Sequence, residues 1–399
     1  MSLELSKKAL AVKPSSTLEI TAKAKEMKKN GMDVVGFAAG EPDFKTPEHI
    51  CIAAKRAIDD GFTKYTPASG ISELKEAIVK KFKNFNHINY LPDQIVISNG
   101  GKHILTNVFT AILNPDDEVI IPAPYWLSYP EIVKLAGGVP VIIKGSKETS
   151  YKVNLDMLKG ALTSKTKAFI LNSPNNPTGM VYEKDELQMI ADFAVENDIY
   201  VISDEIYENL CYGKEEAVSI ASLNNEIYKR TITVNGLAKS YAMTGWRIGY
   251  AGAPLEIAKV MGNVQSHQTS NPNSIAQKAA LEAISGDQTC VREMNAAFDE
   301  RRKYIYEKLK EIDGLSAIEP KGAFYLFVDM SAFIGKHYFG HEINNAVDFA
   351  KFLLEDYQVA IIPCGDFGFD DHFRLSYAIS VVEIDKGMSR IKEFCDNIE

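Results

Sequence analysis

The sequence predicts an α/β protein with a large domain, built on a mostly parallel seven-stranded sheet covered by helices, and a smaller α+β domain. Short apolar runs alternate with helical stretches between about residues 93 and 251, and this pattern changes after about Gly286. Such alternation is typical of a parallel sheet with both faces covered. The chain has 399 residues, too many for one ordinary core, which favours two packed units.

Seven short apolar runs are interpreted as the strands of the large sheet. In chain order they lie at residues 94–98, 118–121, 140–143, 167–171, 199–203, 231–234 and 248–251. Helices are predicted between them at residues 102–113, from about Tyr129, and at Lys184–Glu196. The last is the clearest, because Leu187, Ile190 and Ala194 share one face at helical spacing.

The part of the chain after Gly286 is predicted to form the smaller domain. Helices are expected at residues 292–312 and 345–356 and from near Val382, and strands at 324–328, 359–362 and 373–376. The first forty or so residues are expected to join this unit in space. The predicted boundaries are residues 1–45 for this N-terminal segment, 46–285 for the large domain and 286–399 for the small C-terminal domain.

Composition excludes several classes of protein. Hydrophobic residues make up 46% and charged residues 24%, as in a globular protein, and the net charge of −9 disfavours nucleic-acid binding. No apolar run approaches the ~20 residues of a membrane helix. Five scattered cysteines favour free thiols in a reducing cytoplasm. His337 and His341 are interpreted as surface residues, and no metal site is expected.

Polar residues follow two of the predicted strands at the sheet edge where ligands bind in open α/β folds. The loop after residue 171 carries Asn172, Asn175 and Asn176, whose amides could face a ligand or simply form a turn. Asp204 directly follows the strand at residues 199–203. A carboxylate there is costly unless a positive or hydrogen-bonding group meets it, although an N-cap is the alternative.

Lys239 and Arg247 follow the strand at residues 231–234. A lysine is usually solvated, but in a pocket it loses its proton more easily and attacks carbonyls. Gly100 and Gly101 begin a predicted helix, where backbone N–H groups and the helix dipole favour a phosphate. With Asp204 facing a positive ring nitrogen, this set predicts a site for a phosphorylated carbonyl compound. Pyridoxal 5′-phosphate (PLP) fits all of these requirements.

The chain also resembles the class I (fold-type I) PLP-dependent aminotransferases of the bacterial aspartate/aromatic subgroup along nearly its whole length. Seven segments in the family's order carry this resemblance. They are AGEPDF at 39–44, YTP at 65–67, PYW at 124–126, NPTG at 176–179, DEIY at 204–207, Lys239 with Arg247, and FRLSY at 373–377.

The resemblance implies roles for the residues around the cofactor ring. Lys239 would carry PLP as a Schiff base and move the proton during the reaction. Asp204 would pair with the pyridine nitrogen and keep it protonated, the protein's main electronic control over this cofactor. Tyr207 and Asn176 would hydrogen-bond the ring oxygen O3′ and lower the pKa of the imine. Trp126 would stack on the ring.

Phosphate contacts follow from the same resemblance. Arg247 would hold the phosphate together with the backbone of Gly101 and Lys102. Tyr65 would reach the phosphate of a neighbouring subunit, which implies a homodimer.

Substrate contacts are implied as well. Arg374 would bind the substrate α-carboxylate as a two-pronged fork, which a lysine cannot reproduce. Gly40, Asn176 and Trp126 would add further contacts to the substrate. Apart from the resemblance, Gly40 could be a turn glycine, and Trp126 and Tyr65 could be ordinary buried aromatics.

One position departs from the family pattern. The family usually has a serine or threonine before the PLP lysine, whose hydroxyl touches the phosphate, and here Ala238 stands there. Gly236, three residues before the lysine, also lacks a hydroxyl. Because a hydrogen bond to a charged group contributes roughly 1.5–3 kcal/mol, weaker PLP binding is expected. Asn235, a water molecule or another loop could compensate.

The expected activity is transamination between an amino acid and a 2-oxo acid by a ping-pong cycle. L-Aspartate with 2-oxoglutarate is the preferred pair, from overall similarity and especially VKPS at 12–15 and MTGWRIGY at 243–250. An aromatic or prephenate aminotransferase is the alternative, and a PLP-dependent C–S lyase on the same fold is a weaker one. Ser15 and Thr17 are candidates for binding the distal carboxylate of the substrate.

Overall fold

A computed structural model describes residues 4–13, 16–213 and 217–399, with the side chains of residues 16–18 left out. Ser15 and the side chain of Thr17 therefore lie outside the described part, and their expected substrate contacts stay predictions. Within that part, none of the helices is long and apolar enough to cross a membrane. The five cysteines are free thiols, and no group of three or more His, Cys, Asp or Glu side chains among the described residues could hold a metal.

The large sheet has seven strands, and their order across the sheet differs from their order in the chain. Across the sheet they are Ile95–Ser98, Gly249–Gly252, Thr231–Gly236, Tyr200–Asp204, Thr166–Asn172, Glu118–Ala123 and Val139–Lys144. Gly249–Gly252 runs antiparallel to both of its neighbours, and all other pairs in register are parallel. The predicted mostly parallel, seven-stranded sheet is confirmed.

Apolar residues on both faces of this sheet explain why its strands read as nearly continuous apolar runs. Ile170, Ile202 and Val234 pack into one hydrophobic cluster, whereas Phe169 and Val201 pack into another. Helices cover the two faces and form the connections between strands. They are Glu48–Asp59, Ser72–Phe85, Gly101–Ile112, Ser128–Ala136, Leu155–Ala161, Lys184–Glu196, Asn225–Tyr228, Leu255–Gln268 and Ser274–Ser285.

A second, antiparallel sheet organises the C-terminal part. Its strands in spatial order are Ile362–Pro363, His372–Ser376, Tyr325–Asp329 and Ser316–Ala317. The helices Thr289–Leu309, Ala346–Tyr357 and Val381–Asp396 accompany it. A short hairpin pairs His337–Tyr338 with His341–Glu342, and both histidines are exposed.

The single strand expected at residues 359–362 is wrong. Val359–Ala360 pairs in parallel with Val35–Gly36, whereas Ile362–Pro363 pairs with His372–Ser376 in the other sheet. The continuous apolar run carries no sign of this change of partner. The pairing with Val35–Gly36 brings the N-terminal region against the C-terminal part. Two helices, Lys7–Leu10 and Ser16–Lys29, precede this strand in the chain.

Candidate active site

Asp204 ends a central strand of the large sheet at its carboxyl edge, in register with Asn172 and Val234 on the two neighbouring strands. Its side chain is 5% exposed. The hydroxyl of Tyr129 donates to Oδ2 at 2.7 Å, and the backbone N–H of Ile206 donates to Oδ1 at 3.3 Å. Burial raises the pKa of Asp204 to about 6, and the bond from Tyr129 opposes this rise. A cation next to this carboxylate would relieve the cost of its burial.

Tyr129 is a site residue that the sequence analysis missed. It lies in the first turn of the helix Ser128–Ala136, and its ring packs edge-on against Trp126 with centroids 5.4 Å apart. The signal available in the sequence was its position three residues after the matched Trp126. A buried tyrosine hydroxyl needs a partner, and here that partner is Asp204.

Lys239 lies in the segment after the strand Thr231–Gly236, and its side chain is partly buried. Its Nζ donates to the carbonyl oxygen of Gly40 at 2.5 Å and lies 5.8 Å from the ring centroids of Tyr207 and Phe324. Burial lowers the pKa of Lys239 to about 8, and the nearby positive charge of Arg374 adds to the effect. A lysine held this way is a nucleophile near neutral pH.

Arg374 is a buried cation on the strand His372–Ser376, with 2% of its surface exposed. Its Nη1 donates to Oδ1 of Asn176 at 3.0 Å, and its Nη2 donates to the carbonyl oxygen of Ala38 at 3.2 Å. Its Nε is buried and has no hydrogen-bond partner within the described part of the chain. A guanidinium with an unused N–H group suits an anionic ligand.

Gly40 borders the space beside Arg374. A Cβ atom built at this position would lie 3.3 Å from the hydroxyl of Tyr325 and 3.9 Å from Nη2 of Arg374. The same Tyr325 hydroxyl lies 2.8 Å from the hydroxyl of Tyr207. The structure therefore brings Gly40, Tyr207, Lys239 and Arg374 together, with Tyr325 as a member that the sequence analysis missed.

The start of the helix Gly101–Ile112 forms a second, electropositive part of the site. Gly100 precedes it with φ +91°, and no side chain caps the helix. Arg247 lies against Gly100, donating from Nη1 to the carbonyl oxygen of Thr244 at 2.8 Å. A Cβ on Gly100 would lie 2.5 Å from Nη2 of Arg247, and the positive φ disfavours other residues, so glycine keeps Arg247 in this position without strain. Uncapped N–H groups beside an arginine make an anion site.

Lys102 and Trp126 lie next to this anion site. The Nζ of Lys102 lies 4.9 Å from the ring centroid of Trp126. Burial lowers the pKa of Lys102, and the positive charge of Arg247 lowers it further. Trp126 is only partly buried, which leaves part of its ring free for a ligand.

The segment before Lys239 has little room for larger residues. A Cβ on Gly236 would lie 2.9 Å from Cδ1 of Ile206 and 3.2 Å from the carbonyl oxygen of Ile248. Asn235 accepts a 2.7 Å hydrogen bond from the N–H of Gly236, and its Nδ2 has no partner among the described residues. Ala238 is partly exposed, and compensation by Asn235 for its missing hydroxyl stays a prediction.

Tyr65 is the predicted site residue that does not join the others. It lies between the helices Glu48–Asp59 and Ser72–Phe85, and 89% of its side chain is exposed. The alternative of an ordinary buried aromatic is therefore wrong. An exposed tyrosine at this position is free to contact a second molecule.

Two fully buried glutamines hold the segment around Tyr65. The Nε2 of Gln277 donates to Oγ1 of Thr66 at 3.0 Å, and its Oε1 accepts from the N–H of Ile71 at 2.9 Å. The Nε2 of Gln265 donates to the carbonyl oxygen of Ala68 at 2.5 Å. Neither glutamine was predicted, because both act through contacts about 200 residues apart in the chain.

The chain is similar to known proteins over nearly its whole length. Residues 32–391 match the family model described as aminotransferase class I and II. An aspartate aminotransferase of Bacillus subtilis is 48% identical over 99% of both chains. A probable aspartate/prephenate aminotransferase of Aquifex aeolicus is 46% identical over 97% of both chains.

Solved structures show the same likeness over the whole fold. The aspartate aminotransferase of Rhizobium meliloti superposes with a TM-score of 0.96 at 40% identity, covering 100% of both chains. The Thermus thermophilus aspartate aminotransferase with maleate gives a TM-score of 0.92 at 43% identity, covering 98% of this chain and 100% of the other. The chain therefore belongs to the aminotransferase class I and II family.

Proposed function

We propose that this protein is a PLP-dependent aspartate aminotransferase, which passes the amino group of L-aspartate to 2-oxoglutarate in a ping-pong cycle. One observation carries the proposal. Lys239, with its pKa lowered to about 8, shares a site with the buried acid Asp204 and with Arg374, whose Nε has no hydrogen-bond partner in the part of the chain that the structure describes. The relatives from Bacillus subtilis and Geobacillus stearothermophilus, both named aspartate aminotransferase, support the choice of substrate.

The residues present fit PLP. Asp204 is a buried carboxylate without a cationic hydrogen-bond partner among the described residues, as the ring nitrogen of PLP requires. Gly100 leaves a space beside Arg247 that any Cβ would fill. When bound, PLP supplies an electron sink for negative charge that develops on the substrate α-carbon.

The chain's own residues then have distinct tasks around the ring. Lys239 is the attachment point, and its amine also takes and returns the proton of the substrate α-carbon. Asp204, held by its bond from Tyr129, keeps a negative charge for the ring nitrogen. Tyr207 and Asn176 would donate hydrogen bonds to the ring oxygen, and Trp126 would cover a ring face.

Arg247 and the backbone of Gly101 and Lys102 hold the phosphate, because uncapped helix N–H groups and two positive side chains meet there. Tyr65 of the partner subunit completes this phosphate site in a homodimer. Its 89% exposure in a single chain supports this arrangement.

Arg374 binds the α-carboxylate of the amino acid and of the 2-oxo acid. Its fork suits two parallel hydrogen bonds to a carboxylate. Asn176 contacts both Arg374 and the ligand, Gly40 leaves room for the carboxylate, and Trp126 contacts the bound substrate.

The same proposal covers the organisation of the chain. Residues 46–285 form the large domain, 286–399 the small domain, and 1–45 a segment packing with the small domain. Val35–Gly36 pairs with Val359–Ala360, and this pairing ties the first segment to the small domain. Five free cysteines favour the reducing cytoplasm as the location.

An aspartate/prephenate aminotransferase is the second candidate, because relatives from Aquifex aeolicus and Cereibacter sphaeroides carry that name. The test is product analysis with L-aspartate as donor and either 2-oxoglutarate or prephenate as acceptor. Efficient use of 2-oxoglutarate with no release of ammonia supports the first proposal, and efficient use of both acceptors supports the second. Ammonia released without any acceptor would instead indicate a lyase.

A further inference from the structure

Tyr325 lies at the centre of the site. It begins the strand Tyr325–Asp329, and only 1% of its surface is exposed. In the register with the neighbouring strand, Tyr325 is opposite Ser376 and Phe327 is opposite Arg374. Because side chains alternate along a strand, Tyr325 and Arg374 share one face as diagonal neighbours.

Two different contacts join Tyr325 to the two halves of the site. Its hydroxyl lies 2.8 Å from the hydroxyl of Tyr207, which the proposed function assigns to the cofactor half. The guanidinium of Arg374, in the carboxylate half, lies 4.4 Å from the centroid of its ring. We propose that Tyr325 is a positioning residue: its hydroxyl directs the proton of Tyr207 toward the cofactor, and its ring supports Arg374.

The guanidinium of Arg374 lowers the pKa of both hydroxyls, and it lies directly against the ring of Tyr325. Burial raises the pKa of Tyr207 well above its ordinary value. Burial also raises the pKa of Tyr325, but the adjacent guanidinium lowers it and offsets part of that rise. Either hydroxyl can donate across the 2.8 Å distance, and within the proposal Tyr325, whose ring lies against the guanidinium, donates and Tyr207 accepts. Tyr207 then keeps its own proton for a ligand, and donation strengthens because linked hydrogen bonds polarise one another.

The ring of Tyr325 has a separate task. Arg374 donates one N–H from Nη1 to Asn176 and one from Nη2 to Ala38, which leaves Nε and the second N–H of each terminal nitrogen for a ligand. An aromatic face under a guanidinium attracts it and limits its movement. Arg374 is thereby held with its remaining N–H groups in a fixed direction.

The hydroxyl is tested through bound PLP, and this test rests on the proposed function. The measurement is the pH midpoint of the visible absorption change of PLP bound to the protein, without substrate. In Tyr325→Phe the midpoint is expected to rise by about 0.3–0.5 pH units, because Tyr207 becomes a weaker donor. Tyr207→Phe gives a larger rise, and adding Tyr325→Phe to it gives no more. Tyr90→Phe, which removes a buried hydroxyl bonded to Thr233, is the control and leaves the midpoint unchanged.

The ring is tested in cofactor-free protein by calorimetric binding of succinate. Tyr325→Leu removes the ring and is expected to weaken binding roughly tenfold. Tyr325→Phe keeps the ring and binds succinate as the wild type does. Equal affinity of the Leu variant and the wild type would overturn this half of the inference, as would an equal loss in both variants.

A failure of the hydroxyl role can be told apart from a failure of the proposed function. A normal wild-type band with an unchanged midpoint in Tyr325→Phe overturns the hydroxyl role alone. The hydroxyl role is also overturned if Tyr325→Phe raises the pH midpoint equally in the wild type and in the Tyr207→Phe variant. The effect of Tyr325 would then not act through Tyr207. A wild-type protein that shows no visible band with PLP overturns the proposed function and the hydroxyl role together.

Discussion

The hydroxyl of Tyr129 donates a 2.7 Å hydrogen bond to Oδ2 of Asp204, inside the large sheet's carboxyl edge. This bond only partly offsets the cost of burying the carboxylate, because the pKa of Asp204 is still raised from its ordinary value of 3.8 to about 6. The cofactor-free protein therefore carries an acid that it stabilises poorly when charged. That tension is typical of functional sites, where stability is exchanged for reactivity.

Asp204→Asn should accordingly stabilise the cofactor-free protein, but only at higher pH. Between pH 3.8 and about 6 the folded wild type binds more protons at Asp204 than the unfolded chain, so its free energy of unfolding falls as pH rises. Above that window the variant is expected to be more stable, by on the order of 3 kcal/mol. Denaturant unfolding of both proteins from pH 4.5 to 7.5 measures this, and a difference independent of pH would contradict it.

Gly100→Ala should greatly weaken PLP binding. The new Cβ would lie 2.5 Å from Nη2 of Arg247, at a residue whose φ of +91° already disfavours alanine. Gly137→Ala is the matched control, because Gly137 has a similar φ of +93° and a Cβ there meets nothing within 4 Å. Equilibrium titration of cofactor-free protein with PLP compares them. Similar affinities for the two variants would show that Arg247 does not need its position against Gly100.

Replacing Ala238 tests the departure from the family pattern. Ala238→Thr restores a hydroxyl beside the phosphate, and a bond to a charged group contributes roughly 1.5–3 kcal/mol. PLP affinity is expected to rise about tenfold or more. Ala238→Val has nearly the same shape without the hydroxyl, so it should give no such gain. If Thr and Val behave alike, another group already fills the role of the missing hydroxyl.

Hybrid dimers test whether Tyr65 acts across the subunit boundary. One hybrid pairs a Lys239→Ala subunit with a Tyr65→Phe subunit, so its one working lysine faces an intact Tyr65 from the partner. The other pairs a wild-type subunit with one that carries both changes, so its working lysine faces the altered residue. The first hybrid should keep about half of the wild-type activity, because its working site is intact, and the second should show weakened PLP binding. If the first hybrid instead binds PLP more weakly than the second, Tyr65 acts in the site of its own subunit.

Much of the site could be predicted because its residues lie at or just after the ends of strands. Asp204 and Lys239 each follow a buried apolar strand, and parallel strands bring their carboxyl ends to one edge. Tyr129, Tyr325 and Gln265 were missed for a common reason. Each acts through a contact between elements far apart in the chain, which no local pattern records.

The errors in the fold have a similar physical origin. The apolar run at residues 359–362 indicates extended, buried backbone, but its hydrogen-bond partners lie in two different sheets. The helices Glu48–Asp59 and Ser72–Phe85 were not predicted, although both bury an apolar face. Element type is encoded locally, whereas the choice of partner is decided by packing.

The visible spectrum of the purified protein with PLP tests the central claim most directly. A visible band is expected that disappears on addition of L-aspartate alone and returns with 2-oxoglutarate, and Lys239→Ala should lack the response. This result would establish the cofactor, its attachment and the use of aspartate together. A protein that shows no visible band at saturating PLP, or an unchanged response in Lys239→Ala, would contradict the assignment of Lys239 as the catalytic lysine.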